Sequence, residues 1–391
     1  MVPVYPVRLA RCLILFLLAF QANLHSQSYS ELLKQIAASP DSLERARVID
    51  RYLSSHPPPL VEDSLVRFYF RGPARLVAVP GDFNGWNPSA SPMMRIGGTD
   101  LFVREDTIPV DGRVEYKLWV DSVWMLDPGN PRKAQGGFGE NSELLMPGYG
   151  SPPILWTSER RPLDTLSLGS SYLHRTYPIY VYTPPGASPE KGLPTIYVTD
   201  GGEYLSLAGM DRILDRLILS KRIRPVVAVF IDPRTDPRDP SSNKRMTDYA
   251  ASDPFLDFLE KEVSPVIRDK YRVSTDPANR LILGASMGGL ISTYAVLRRG
   301  SFITKSASQS PAYLQADSAV IRLLKETDRA RGDFYIQTGT IHDTRAEALL
   351  VNRLLSSKGA RVVYEEYHEG HNWTNWRNKL DRILIHFFPS P

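Results

Sequence analysis

Three residues of this chain stand where acyl-transfer chemistry would need them. Ser286 lies in Gly284-Ala285-Ser286-Met287-Gly288, a G-x-S-x-G run between the apolar stretch Arg280–Leu283 and the helix-like segment Gly289–Arg299. A serine on a tight strand-to-helix turn is a nucleophile elbow: the glycines make room for the turn, and the hydroxyl stands clear of the sheet edge. A hydroxyl needs a base to take its proton, and the base needs an acid to orient it. Asp343 follows the strand-like Phe334–Gln337 and precedes a helix that its carboxylate could also cap. Asp333 is at the wrong end of that strand and Glu347 is a turn into the helix, so Asp343 is the better acid. His371, behind Gly370 and ahead of the last helix, is the expected base, with His368 of the same loop as its structural neighbour. His25, His56, His174 and His386 have no comparable position. The chain order serine, acid, histidine suits such a site. An oxyanion needs fixed N–H donors. Met287, directly after the nucleophile, supplies one, and Gly202 in Asp200-Gly201-Gly202 supplies the other. No histidine pair has metal-ligand spacing beside a carboxylate, so neither a catalytic metal nor a cofactor is expected.

The elements that must hold these residues follow from periodicity. From about residue 165, strands alternate with helices. The strands are Thr176–Tyr182, Thr195–Thr199, Pro225–Ile231, Arg280–Gly284, Phe334–Gln337 and Arg361–Tyr367. The helices are Leu207–Ser220, Pro254–Tyr271, Gly289–Arg299, Thr344–Ser357 and Thr374–Phe388. This predicts a mostly parallel sheet flanked by helices, an α/β hydrolase, over 165–391. Residues 60–150 carry short β-rich runs broken by turn signals such as Gly81–Pro88, which predicts a small all-β sandwich of immunoglobulin-like type. Residues 27–59 read as two helices and a proline linker, a packing strap without a chemical role. Residues 1–26 have the form of a secretory signal peptide: Arg8 and Arg11, then the apolar run Cys12–Phe20, then polar residues. That run is too short to span a bilayer, so no integral membrane segment is expected after cleavage. Cys12 is the single cysteine of 391 residues, which excludes disulfides and thiol chemistry from a mature chain. A formal charge of +4 without clustering gives no footprint for nucleic acid.

Residues 165–391 resemble the esterase superfamily that contains enterochelin esterase, esterase D and the family 1 carbohydrate esterases. The matching pieces are Asp200-Gly201-Gly202, Gly-Ala-Ser286-Met-Gly-Gly, Gly-Thr-x-x-Asp343 and Gly370-His371-Asn-Trp-x-x-Trp376. The resemblance implies a serine carboxylesterase with Ser286, Asp343 and His371 as triad. It also implies that Arg245 and Asp248 border the pocket, unless that segment is a surface loop. Trp373 and Trp376 would wall the pocket or anchor the last helix. The preceding region looks like a family 48 carbohydrate-binding module. The likeness rests on Gly-Asp-Phe-Asn-Gly-Trp86, Glu115-Tyr-Lys117-Leu-Trp-Val-Asp121, Trp124-x-x-Asp127-Pro and Gly139-Glu-Asn141-Ser. It implies stacking of Trp86 and Trp124 on sugar rings, with Lys117 and Asn141 bonding hydroxyls and Phe138 nearby. In related sandwiches the same residues serve only docking on the esterase.

Together these readings lead to an exported serine carboxylic ester hydrolase, periplasmic or extracellular. It would remove feruloyl or acetyl groups from polysaccharide. The alternatives are an enterochelin-type siderophore trilactone esterase, an acyltransferase built on the same elbow, and a glycan-binding protein with an inert hydrolase domain.

Overall fold

The computed structural model describes residues 29–150, 160–186 and 192–390. The expected leader, residues 1–26, lies outside them. The chain forms two compact units: one runs to Ala134 and includes Glu140–Gly150, and the other comprises Gln135–Gly139 with Ser151 onward.

The first unit opens with helical residues 29–38 and the helix Ser42–Ser55, whose N-cap Asp41 accepts from the Glu44 N–H. Val48, Ile49 and Tyr52 pack with Leu32 and Ile36 against Leu60, Tyr69, Leu101 and Val103 of a sheet. Ten short strands lie between residues 60 and 145. They are β1 (Leu60–Glu62), β2 (Leu65–Arg71), β3 (Val77–Ala78), β4 (Met94–Arg95), β5 (Leu101–Thr107), β6 (Arg113–Tyr116), β7 (Leu118–Val120), β8 (Val123–Met125), β9 (Lys133–Gly136) and β10 (Gly139–Leu145). They pair in the orders β1-β2-β5-β4, β6-β10-β9 and β3-β7-β8.

The second unit is an α/β hydrolase-type layer structure. Its strands are β11 (Asp164–Ser170), β12 (Arg175–Tyr182), β13 (Thr195–Val198), β14 (Val227–Ile231), β15 (Arg280–Ala285), β16 (Lys305–Gln309), β17 (Asp333–Gly339) and β18 (Arg361–Tyr367). They form one eight-stranded sheet in the order β11-β12-β14-β13-β15-β16-β17-β18. β11 and β12 are antiparallel, and the six strands from β14 to β18 run parallel. Alternate residues serve opposite faces, as a strand's period of two requires. Ile282 joins one core with Val229, Leu290 and Val351; Leu281 and Leu283 join another with Phe230, Leu214 and Leu384.

Several elements differ from the sequence reading. The helix expected over Pro254–Tyr271 forms as one helical run from Asp253 to Tyr271, with a π-helical stretch, Phe258–Val263, in its middle that the sequence reading did not foresee. The last helix is two, Trp373–Arg377 and Leu380–Phe387. The helix expected from Leu207 starts at Met210, behind a separate short helix Gly201–Ser206. Strands β11 and β16 were not expected. β16, Lys-Ser-Ala-Ser-Gln, lacks the β-branched and aromatic residues that mark strands. It is nevertheless buried, because its hydroxyls are satisfied: Ser308 Oγ donates to the Gly289 carbonyl at 2.9 Å and shares a 3.0 Å bond with Thr293 Oγ1.

Close packing at the end of β15 decides where glycine is required. A Cβ on Gly284 would stand 2.1 Å from Thr199 Oγ1 and 2.5 Å from the backbone of Gly288. Neither the adjoining helix nor β13 can yield at so short a contact. Gly284→Ala is therefore expected to destabilise the protein by roughly 1–3 kcal/mol through overpacking. Urea unfolding measures this, and wild-type stability would contradict the account.

Candidate active site

The parallel strands β15, β16, β17 and β18 are neighbours, and each delivers a polar residue just past its carboxyl end: Ser286, Ser310, Asp343 and His371. Ligands of open α/β sheets bind at this edge. Ser286 has φ 58 and ψ −119, a conformation that a residue with a side chain adopts only under constraint. The constraint is visible. Its N–H donates to the Gln309 carbonyl at 2.8 Å, and its carbonyl accepts from Ala312 and Leu290 at 3.1 and 3.0 Å. The loop after β16 thus clamps the elbow from one side and the helix Met287–Arg298 from the other.

His371 Nδ1 lies 2.7 Å from Asp343 Oδ1. An ionised carboxylate can only accept, so Nδ1 carries the hydrogen and Nε2 is left as the acceptor. The Asp343 side chain is wholly buried, whereas 35% of the His371 side chain is exposed. Asp343 Oδ1 also accepts from the Thr344 N–H at 2.7 Å, and Oδ2 accepts from Ser310 Oγ and the Gly339 N–H, both at 2.6 Å. Burial alone would raise the Asp343 pKa; hydrogen bonds and charge from His371, then Ser310 and Thr344, outweigh it and hold the carboxyl below its ordinary range. Among the described residues no hydrogen bond closes from Ser286 to His371, a link that resting enzymes often leave long until substrate arrives. His368 of the same loop is exposed.

The histidine loop is fixed from beneath. Asn375 donates to the Gly370 carbonyl at 3.0 Å and accepts from Gln337 at 2.8 Å; Gln309 donates to Gln337 at 3.1 Å and to the Trp376 carbonyl at 2.8 Å. Tyr204 OH donates to Gln309 at 2.9 Å. Glu369, also buried, pairs with Lys379 at 2.9 Å. Trp373 stands edge-on to Tyr204 and Trp376 at 5.1 and 4.9 Å, and only 7% of it is exposed. Trp376 does more than anchor the terminal helix: its ring meets His371 edge-on at 5.0 Å, and its Nε1–H donates to Ser310 Oγ at 2.9 Å.

Met287 begins the helix behind Ser286, and Gly202 lies in the first turn of Gly201–Ser206. Neither helix has a side-chain cap, so first-turn N–H groups are not taken by the capping residues. Asp200, which could cap the second helix, instead binds Arg245 Nε and NH2 at 3.0 Å each. Arg245 also reaches toward the Ala285 carbonyl at 3.5 Å, beside the elbow. Asp232 pairs with Arg234 in the same two-pronged way, and a Cβ on Gly202 would fall 2.2 Å from Asp232 Oδ2. Asp248 is turned elsewhere. It is 1% exposed, and its oxygens are taken by Tyr177 OH at 2.5 Å and Arg175 at 2.9 Å, which makes it an anchor between its helix and β12.

In the first unit, Trp86 Nε1 donates to buried Asp82 at 3.1 Å, Asp82 accepts from the Glu115 N–H at 2.8 Å, and Asn141 Nδ2 donates to Glu115 at 2.7 Å. Burial, then the Glu115 charge, pushes the Asp82 carboxyl up to about 7. Trp86 and Asn141 thus share one internal network. Lys117 is half-buried just before β7, and Trp124 is exposed on β8, opposite Trp119. Phe138 is fully exposed and belongs to the second unit.

Fold and site geometry are of the α/β hydrolase type. Residues 170–387 match the Esterase family model, and the chain belongs to that family. A Bacillus subtilis (strain 168) protein, the uncharacterised YbbA, is 30% identical over 147 residues; the match covers 36% of this chain and 58% of the length of that relative. Among solved structures, the ferric enterobactin esterase of Salmonella typhimurium aligns with a TM-score of 0.69 at 19% identity, covering 84% of this chain and 94% of its own. The enterobactin esterase FES of Shigella flexneri, solved with enterobactin, gives 0.67 at 20% identity over 83% and 92%. A ferulic acid esterase gives 0.51 at 18% identity over 59% and 99%. At these identities the likeness is one of fold.

Two residues of the site were not singled out from the sequence. Ser310 follows the unexpected strand β16, and its polar surroundings carried no signal. Glu203 follows Gly202 directly; burial, then repulsion from Asp200, pushes its carboxyl up to about 7 despite Arg245 and Arg234. The folded state holds this proton more tightly than the unfolded chain, so the stabilisation is complete below the ordinary carboxylate range and is lost as pH rises through about 7. Glu203→Gln keeps the side chain neutral at every pH. Compared with wild type, its urea midpoint should rise progressively from about pH 4.5 to about pH 7 and level off above that. A constant difference across that range would contradict the shift.

Proposed function

We propose that the chain is an exported serine carboxylic ester hydrolase acting through an acyl-enzyme on Ser286. The observation that carries this reading is the His371–Asp343 bond of 2.7 Å at the sheet edge that also presents Ser286 on its strained turn. His371 Nε2 takes the Ser286 proton as Oγ attacks the ester carbonyl. The tetrahedral oxyanion is held by the N–H groups of Met287 and Gly202. Collapse expels the alcohol, which leaves with the proton from His371. Water then repeats the sequence on the acyl-enzyme, releasing the acid and restoring Ser286.

For the substrate we favour a neutral aryl or acetyl ester, the feruloyl or acetyl groups of a polysaccharide. The two cations that border Gly202 are each compensated, Arg245 by Asp200 and Arg234 by Asp232, while Glu203 adds a further carboxyl. Such a rim suits an uncharged ester better than a strongly anionic ferric catecholate. Trp124, which is exposed, and the partly exposed Lys117 would offer a sugar-stacking ring and a hydroxyl-bonding cation. One observation favours a second reading, a siderophore trilactone esterase: the fold likeness to enterobactin esterases covers 84% of the chain, that to the ferulic acid esterase 59%.

Ser286→Ala should lower kcat by on the order of a million-fold, as loss of a triad nucleophile does. A small loss would assign the nucleophile elsewhere. Turnover of feruloylated and acetylated oligosaccharides against an iron-free catecholate trilactone decides the substrate, and preference for the trilactone would overturn the first reading.

A further inference from the structure

We propose that Ser310 and Trp376 form a directional hydrogen-bond relay that positions Asp343 for His371. Both are then positioning residues of the reaction. The inference rests on the assignment of Ser286, His371 and Asp343 given above.

The direction of the relay follows from donor chemistry. An indole N–H can only donate, so at 2.9 Å the Ser310 oxygen must be its acceptor. A serine hydroxyl has one hydrogen. With Trp376 donating to its oxygen, that hydrogen is delivered to Asp343 Oδ2 at 2.6 Å. The carboxylate is the terminus, because it can only accept. Ser310 and Trp376 are both buried, at 0% and 6% exposure, so water does not compete for these bonds. The relay also closes on the base, since the Trp376 ring that feeds Ser310 stands edge-on to the His371 imidazole at 5.0 Å. Hence one side chain fixes the base by packing and the acid through two hydrogen bonds.

The backbone supports the arrangement. Ser310 has φ 42, a left-handed conformation in which glycine would be the easier residue. Glycine would lack the hydroxyl. The Ser310 N–H donates to the Gln337 carbonyl at 2.6 Å, while the preceding Gln309 holds the Trp376 carbonyl at 2.8 Å. Consecutive residues at the end of β16 thus grip the backbone and the indole of Trp376.

The relay has a consequence that packing alone would not produce. The Ser310 hydrogen draws negative charge onto Oδ2. Without it, more charge faces the imidazole from Oδ1, and the base is protonated at a higher pH. The acidic limb of kcat/KM, which reports that protonation, then moves upward.

The test uses the full chain and p-nitrophenyl acetate, with Ser310→Ala, Trp376→Phe and the double variant. Thermal melts report folding, and fluorophosphonate titration counts intact sites. Ser310→Ala should lower kcat by on the order of ten-fold, leave KM nearly unchanged, and raise the acidic limb by about half a unit. Trp376→Phe keeps an aromatic ring and loses the donor, so it should move the limb the same way by a smaller amount. Because the indole donor acts through Ser310, the acidic limb of the double variant should match that of Ser310→Ala alone. An unmoved limb in either single variant with intact sites would overturn the relay. Additive shifts of the limb in the double variant would reduce Trp376 to packing and overturn it too. If Ser310→Ala does not fold, the limb of Trp376→Phe decides. Failure of the underlying assignment reads differently: Ser286→Ala would retain activity whatever these variants do.

Discussion

A single buried carboxylate holds this site together. Asp343 has no exposed side-chain surface, and a charge so placed is costly unless its oxygens are satisfied. Four donors do so: His371 and Thr344 on Oδ1, Ser310 and Gly339 on Oδ2. They come from the loop after β18, the start of a helix, the loop after β16 and the end of β17. Removing any one leaves an acceptor short inside the protein, which typically costs about 1–3 kcal/mol. The carboxylate therefore ties three adjacent strand ends to one another, and the histidine is one partner among four.

The nucleophile depends on the same edge by a different route. The Ser286 backbone is held in an unfavourable conformation by bonds to Gln309, Ala312 and Leu290 and by the close fit of Gly284, Gly288 and Thr199. The β16 loop is common to both arrangements. Gln309 accepts from Ser286, Ala312 donates to it, and Ser310 donates to Asp343. Strain at the elbow and charge at the acid are thus balanced by one short polar segment.

That segment is what the sequence hid. Ser286, Asp343 and His371 were legible because each follows a strand with a clear apolar or β-branched pattern, and because turn and loop glycines flank them. β16 has no such pattern: it is buried through hydroxyl pairs that form only when the fold brings Thr293 and Gly289 to Ser308. Ser310 was invisible with it. The same limit misplaced Asp248, whose partners Arg175 and Tyr177 lie about seventy positions away in sequence. The helix break at Asn378-Lys379 was missed because apolar spacing continues across it, and the π stretch at Phe258–Val263 has no spacing signature of its own. In the first unit, the bonds that Trp86 and Asn141 make to Asp82 and Glu115 carried no sequence signal either.

The central claim is that Ser286 is a nucleophile activated by the His371–Asp343 pair. The most direct measurement is brief labelling of the intact protein with a fluorophosphonate, followed by peptide mass spectrometry of wild type and His371→Ala. The account predicts one adduct, on Ser286, in wild type and near-complete loss of labelling in the variant. An adduct on another residue, or equal labelling without His371, would contradict it.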